Sequence, residues 1–203
     1  MADQLSSPTG LFFEMRPKPG CRQAYFDHVD QLKPALAGHD GLLWLQRYAL
    51  VDDMDVILSH QLWQSEDHLV AWRRNKDHRY AQMDGIKHIF ADYRIRVGQQ
   101  LWNWTGDAAA IAPPPDAGNI RDHILTLTIT PSIDVAPMKA HFDITGHFKS
   151  LTDPESCLLI ARCKQVTPAD VDAITQSGAV GAALYTTTRD YSLFDRAEAP
   201  LAN

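Results

Sequence analysis

The stretch LSHQLWQSEDHLVAWRRNKDHRYAQMDGIKHIFADYRIRV, residues 58–97, decides the fold of this chain. Its opening, 58–63, follows the two-residue period of a strand. Ser65 then offers an N-cap hydroxyl, and the two acidic residues after it favour a helix start. Asp77 marks the start of a second helix, and the strict alternation of 93–97 predicts another strand. The stretch therefore predicts the order strand, helix, helix, strand.

The residues before this stretch complete a small α+β unit. Alternation predicts a strand at 11–16, and apolar residues at helical spacing predict a helix over 21–37. A second strand at 42–51 leads into the acidic hairpin turn at 52–55. The predicted order of this half is β-α-β-β-α-α-β. That order is typical of a ferredoxin-like fold, an antiparallel sheet with helices on one face.

A change of composition marks the predicted domain boundary. The segment 106–118, GDAAAIAPPPDAG, carries three consecutive prolines, which favour an extended and semi-rigid spacer. We therefore predict a first domain at residues 1–105, a linker at 106–118 and a second, degenerate ferredoxin-like domain at 119–203.

The second half repeats the pattern of the first in a shorter form. Strands are predicted at 123–130, at 157–162 and within 180–193. One long helix is predicted over 134–151, and Thr167 caps another. The resulting order β-α-β-α-β lacks the hairpin of the first half. Because a ferredoxin-like sheet leaves one face bare, we hypothesise that the two tandem halves cover each other as a fused pseudo-dimer, an α+β barrel.

Composition and charge exclude several functional classes. The net charge of -6 argues against a nucleic-acid surface, which needs clustered Lys and Arg. No apolar run approaches the ~20 residues of a membrane helix. The N-terminal MADQLSSPTG lacks the basic and apolar regions of a signal peptide, so a cytoplasmic protein is expected. The three scattered cysteines fit a reducing compartment without disulfides.

A short motif resembles a known family. It consists of WQSED at 63–67, AWR at 71–73, and His78. Together with its surroundings, roughly 9–100, it is similar to the antibiotic biosynthesis monooxygenase (ABM) family. The resemblance implies a dimeric α+β barrel of ferredoxin-like units. It also implies a pocket between the sheet and its own helices, and it places Trp72 as a wall beside a planar substrate.

Several side chains are candidates for chemistry. We predict His60 or His78 as the base and Arg94 or Arg96 as the group that stabilises an anion. Trp72 would orient the substrate ring. The alternative for each aromatic or imidazole side chain is core packing, and for each arginine a solvated or sheet-edge position. Further substrate-binding candidates are Trp63, Phe13, His68 and Gln82.

The combined prediction is an ABM-type monooxygenase that oxidises an aromatic or phenolic small molecule with dioxygen and without a bound cofactor. A haem-binding protein or haem-dependent enzyme is one alternative, and a non-catalytic small-molecule binding module is another. The resemblance places the axial histidine of the haem-degrading branch at Gln82, which argues against that branch. His141 and His147 keep other haem ligation open. No metal site is predicted, since no H-x-H, H-x-x-x-H or C-x-x-C spacing occurs. A homodimer is left open.

Overall fold

In a computed structural model of the protein, which describes residues 7–107, 114 and 122–200, the strands are all antiparallel and close into one barrel. The elements in chain order are β1 (Thr9–Pro17), α1 (Arg22–Ala37), β2 (Leu42–Leu50), β3 (Asp53–Trp63), α2 (Glu66–Arg74), α3 (Lys76–Asp84), a π-helical turn (Gly85–Ile89), β4 (Phe90–Trp104), β5 (His123–Ile129), α4 (Ala136–His141), β6 (Asp143–Ser150), β7 (Cys157–Cys163), α5 (Pro168–Gln176) and β8 (Gly181–Ser192).

Each half of the chain contributes four neighbouring strands to the barrel. Their order is β4-β1-β3-β2 in the first half and β8-β5-β7-β6 in the second. The halves join along two seams. A long ladder pairs β4 with β8, from Arg94 opposite Ser192 to Trp104 opposite Ala182, and a short ladder pairs β2 with β6. The predicted α+β class, with two tandem halves forming one barrel, is confirmed.

The second half is more complete than its sequence predicted. The long helix expected over 134–151 is wrong, because α4 ends at His141 and Asp143–Ser150 is the strand β6. Apolar residues at helical spacing there, including Phe142 and Phe148, also suit a strand. Pairing of β6 with β7 and β2 decides between the two. The hairpin that seemed to be missing is therefore present, and the half has the order β-α-β-β-α-β.

The long helix expected to carry residues 80–90 also ends earlier. The α-helix α3 stops at Asp84, a π-helical turn covers Gly85–Ile89, and Phe90 already belongs to β4. The strand predicted at 93–97 extends as one element to Trp104. Most of the predicted linker lies outside the described residues, so its boundaries stay a prediction.

Strand alternation divides the apolar side chains into layers. One set fills the inside of the barrel, where both halves meet, and its members are Phe12, Tyr48, Leu58, Leu62, Ile124, Phe148, Leu158, Ile160, Ala183 and Tyr185. On the outside, α1 and α2 cover the first half around Trp63 and Tyr25. The helices α4 and α5 cover the second half around Leu127 and Leu159. Successive residues of one strand therefore serve different layers.

Two simpler expectations can be compared with the structure. Cys21, Cys157 and Cys163 are all free thiols, as the sequence predicted. Among the helices of the described ranges, none has the length and apolarity needed to cross a membrane.

His60 is a buried polar side chain inside the barrel. It is 1% exposed and stacks on Phe12 with ring centroids 4.2 Å apart. Trp44 approaches it edge-on at 4.6 Å. Neither imidazole nitrogen has a hydrogen-bond partner among the residues that the structure describes. Burial, assisted by the positive charge of Arg96, lowers the pKa of His60 to about 3. The imidazole is therefore neutral in the folded protein.

This burial predicts an acid-sensitive stability. Between pH 6.5, the ordinary pKa of histidine, and about 3, the unfolded chain binds a proton at His60 that the folded chain does not. His60→Phe should remove this effect. Urea unfolding between pH 7 and 4 measures the difference in the free energy of unfolding between the variant and the wild type. This difference should shift in favour of the variant by up to ~1.4 kcal/mol per pH unit as the pH falls. A difference that is constant with pH would contradict this assignment.

The two seams predict that the halves stay together without a continuous chain. A protease site inserted after Ala110 and then cut should give two fragments that co-elute in size-exclusion chromatography, because the β4–β8 and β2–β6 ladders persist. The fragments should separate only in denaturant. The uncut insertion protein is the control. Separate elution in buffer would show two independent domains instead.

Candidate active site

A cavity of about 700 Å³ lies between the outer face of the first half's sheet and the helices α2 and α3. We call it the helix-side cavity. Its floor is apolar and includes Leu11 and Phe13 of β1 with Ile95 and Val97 of β4. These residues alternate with Phe12, which points into the barrel. The cavity therefore lies where the family resemblance implied a pocket.

A stack of rings forms one wall of the helix-side cavity. Trp72 lies between Trp63 and His78, with ring centroids 6.5 Å and 4.5 Å away and nearly parallel planes. Trp63 is fully buried, and its Nε1 donates to Oε1 of Gln61 at 3.0 Å. His78 is half-buried and lines the cavity, as does Gln61. The tryptophans thus back an imidazole that faces the cavity.

The proton of His78 can be assigned from its neighbours. Its Nδ1 lies 3.0 Å from the backbone carbonyl oxygen of Trp72, closer than the amide nitrogen of Gln82 at 3.3 Å. A carbonyl oxygen only accepts, so Nδ1 carries the proton and donates it, which leaves Nε2 as an acceptor. Burial lowers the pKa of His78 to about 4. The ring is therefore neutral near pH 7.

Asn75 fixes the start of the helix that carries His78. Its side-chain Oδ1 accepts hydrogen bonds from the backbone N–H groups of Asp77 at 3.0 Å and His78 at 3.1 Å. The backbone of Asn75 is extended, which separates α2 from α3. This N-cap sets the direction from which His78 approaches Trp72.

Arginine side chains also line the helix-side cavity. Five of them line it, and no Asp or Glu is among the lining residues that the structure describes. The five are Arg73, Arg74, Arg79, Arg189 and Arg196. Burial lowers the pKa of Arg73, and the nearby positive charges of Arg189, Arg74 and Arg196 act in the same direction. The cavity therefore combines an apolar floor with a positive rim.

The second half supplies part of this rim. Arg189 and Tyr191 lie on β8 directly opposite Val97 and Ile95 of β4, so β8 extends the cavity floor by one strand. Arg196 follows β8 and donates a 2.5 Å hydrogen bond to the hydroxyl oxygen of Tyr93. The cavity needs residues from both halves of the barrel.

Residues 9–83 match the model of the antibiotic biosynthesis monooxygenase family. This part of the chain is similar to an ABM domain. The match runs from β1 to α3 and includes the wall built from Trp63, Trp72 and His78. The resemblance inferred from the WQSED and AWR segments is confirmed.

Named relatives and solved structures resemble the chain over different lengths. A jasmonate monooxygenase of Pyricularia oryzae is 37% identical over 89 residues, which cover 44% of this chain and 41% of that protein. The chain thus matches less than half the length of this curated relative. An anthrone oxidase-like protein of known structure is 14% identical over 98% of both chains, with a TM-score of 0.43. A Pseudomonas aeruginosa protein is 15% identical over 49% of this chain and all of its own, with a TM-score of 0.43.

The structure brings some of the predicted site residues to the helix-side cavity. Phe13, His78 and Gln82 line it, whereas Trp72 and Trp63 are stacked behind His78 and are not among the lining residues. Trp72 is 3% exposed, so it supports His78 rather than forming the cavity surface.

His68 lies apart from the cavity, although it shares a helix with Trp72. Its Nδ1 is 2.8 Å from the hydroxyl oxygen of Ser65, and its ring packs against Gly41. Gly41 has a φ of +84°, and a Cβ there would lie 2.3 Å from the His68 ring. His68 is thus part of the packing between α2 and the turn before β2.

Three predicted catalytic or binding residues lie on the other face of the sheet. His60 and Arg96 are buried inside the barrel, where Arg96 contacts Glu14 at 3.5 Å. Arg94 forms a two-point ion pair with Asp190, with N–O distances of 2.9 and 2.6 Å. We expected these residues to share one pocket with Trp72, and they do not. Side chains alternate along a strand, so the residues next to them in sequence face the helices while they face the other side of the sheet.

Sequence reasoning missed the contribution of the second half. Arg73 belongs to the motif but is not among the predicted site residues, and neither are Arg189, Tyr191 and Arg196. The alternation of Arg189 and Tyr191 in β8 is visible in the sequence. Their position against β4 depends on the β4–β8 pairing, which joins residues about 90 positions apart along the chain and has no local signal.

The N-cap predicts a specific dependence of stability on Asn75. Asn75→Ala should lower the free energy of unfolding by about 1 kcal/mol, because two backbone donors lose their acceptor. Asn75→Asp keeps an acceptor oxygen and should stay within about 0.5 kcal/mol of the wild type. Urea unfolding at pH 7 measures both. An equal loss in the two variants would show that the cap does not depend on this oxygen.

Proposed function

We propose that this protein is a monooxygenase that oxidises an aromatic or phenolic small molecule with dioxygen and without a bound cofactor. The observation that carries the proposal is His78, a neutral imidazole with its proton held on Nδ1, set in the wall of an apolar cavity. The similarity of residues 9–83 to the ABM family supports an oxygenase.

The shape and lining of the helix-side cavity support a planar, apolar substrate. Its volume of about 700 Å³ falls within the ~300–1,000 Å³ that is usual for small-molecule sites. The ring of Phe13 and the branched side chains of Ile95 and Val97 offer an apolar floor on which a ring system can lie. Gln61 adds a polar group whose amide is oriented by Ser59 and Trp63.

His78 would act as the base. Its Nε2 lone pair can accept a proton from a phenol or enol that binds beside it. With a pKa of about 4 it is a weak base, so the transfer needs a stabilised anion. The positive rim of the cavity favours that anion, since positive charge in a water-poor site lowers the pKa of a bound phenol.

The substrate itself would reduce dioxygen. In the proposed reaction the anion gives electrons to dioxygen, and a ring methylene activated by the phenol becomes a carbonyl. One oxygen atom enters the substrate, and the other leaves as water with the two methylene hydrogens. The substrate supplies all four electrons, so the balance needs no external reductant. The protein binds, orients and deprotonates.

Oxygen uptake with a panel of hydroquinones and anthrones tests this proposal. His78→Phe keeps a ring for stacking on Trp72 and removes the acceptor nitrogen, so turnover should fall by ~10²-fold or more. His60→Phe is the matched control, because it makes the same change inside the barrel and should keep the activity. The wild-type rate should decline only below about pH 4, where His78 becomes protonated.

Three outcomes would overturn this function. No turnover of any panel member would leave the protein as a binding module. Equal activity of His78→Phe and the wild type would remove His78 as the base. A Soret band in protein purified from a haem-supplemented culture, required for activity, would replace the proposal with a haem-dependent enzyme.

A further inference from the structure

We infer that the β8 side of the helix-side cavity is an anion-binding subsite, and that the substrate is an apolar acid whose carboxylate binds to Arg73, Arg189 and Arg196. We call these three residues the arginine cluster. The inference names the substrate class of the proposed oxygenase, and to that extent it rests on the proposed function.

The arginine cluster converges on one buried phenol. Tyr191 lines the cavity together with the three arginines, and the guanidinium carbon of Arg196 is 6.0 Å from the centre of its ring. Burial raises the pKa of Tyr191, while the charges of Arg189, Arg73 and Arg196 oppose that rise. The three positive charges are thus close enough to act on one hydroxyl group. A bound anion near Tyr191 would interact with all of them.

Positive charge dominates the lining of the cavity around the cluster. Among the lining residues that the structure describes, five are arginines and none is Asp or Glu. Glu66 contacts Arg189 at 2.7 Å but does not line the cavity. Arg73 also donates to the carbonyl oxygen of Pro200 at 3.3 Å, and Arg196 donates to the hydroxyl oxygen of Tyr93. Such a concentration of positive charge in a partly buried site favours an anionic ligand.

Arg189 has donor capacity left over. Its side chain is 20% exposed, and its Nε is buried without a hydrogen-bond partner. Buried N–H groups in proteins nearly always have partners, so the described neighbours leave this guanidinium group incompletely satisfied, and Arg189 also lines the cavity. The planar fork of arginine suits a carboxylate, which can accept two parallel hydrogen bonds.

Two members of the arginine cluster, Arg189 on β8 and Arg196 after it, lie on a different part of the sheet from the ring stack that includes the proposed base. Ring contacts connect His78 through Trp72 to Trp63 on β3, whereas Arg189 lies on β8. The strand order β3-β1-β4-β8 separates these strands by three spacings, about 14 Å in total. A carboxylate at β8 would therefore hold one end of the substrate while a different group reacts near His78. The apolar floor of β1 and β4 would carry the body of the molecule between them.

Calorimetric binding of 2-naphthoic acid, its methyl ester and 2-naphthol tests the subsite. The acid should bind the wild type at least tenfold more tightly than the ester, and its affinity should fall with added salt. Arg189→Met and Arg73→Met should each weaken binding of the acid by about tenfold to a hundredfold and change binding of the ester less than twofold.

Two control variants separate the subsite from other effects. Arg162→Met removes an exposed arginine that pairs with Asp143 on the second half, so it makes the same change in net charge away from the cavity. It should leave binding of the acid unchanged. Glu66→Gln removes the charged partner of Arg189 and should tighten binding of the acid. Tighter binding would show that the loss of affinity in Arg189→Met does not come from a broken ion pair. If Arg189→Met does not fold, Arg196→Met takes its place.

The outcomes distinguish the subsite from the proposed oxygenase. Selective loss of acid binding in the cluster variants, without oxygen uptake by the wild type, would support the subsite and reject the oxygenase. Oxygen uptake that the same variants leave unchanged would reject the subsite alone. The subsite is overturned if acid and ester bind within twofold, if Arg162→Met weakens the acid as much as Arg189→Met, or if none of the three compounds binds.

Discussion

The backbone ladder between β4 and β8 is the constraint on which the rest of this structure depends. It pairs the last strand of each half along most of its length, and with the short β2–β6 ladder it removes the open edges of both sheets. Closure lets each sheet bury its bare face against the other inside the barrel. It also places the end of β8 beside the sheet of the first half, and so extends the helix-side cavity.

Strand alternation then assigns each side chain to one of two unlike environments. Phe12 and His60 face the interior of the barrel, whereas Phe13 and Gln61, one position later, face the helices. The two histidines illustrate the result. Burial lowers the pKa of both His60 and His78, but only His78 lines the cavity and has a fixed tautomer. At His60 the lowered pKa costs stability at low pH. At His78 it leaves a neutral imidazole at the surface of the cavity.

Sequence patterns predicted the local elements well and the long-range arrangement in part. The N-cap positions of Ser65 and Thr167, the alternation around Tyr93 and the motif around Trp72 are local signals, and each marks an element that the structure contains. The Thr167 side chain caps its helix as predicted, whereas the Ser65 hydroxyl contacts His68 instead of a backbone N–H. The strand β6 was mistaken for helix because its identity depends on pairing with β2 and β7. Of the predicted site residues, His78 of the motif lines the helix-side cavity, and so does Gln82 one turn later. The arginines of β8 were missed because their place depends on which strands become neighbours.

Joining two ferredoxin-like units in one polypeptide also breaks a symmetry. In an assembly of two identical subunits, every substitution appears twice, so both copies of a site must change together. Here Trp104, at the end of β4, packs into the core beneath α4 and α5, whereas Arg189 and Tyr191, at the end of β8, line a cavity. One unit can therefore specialise in mechanical support while the other accumulates changes in ligand preference. Selection can act on each unit separately.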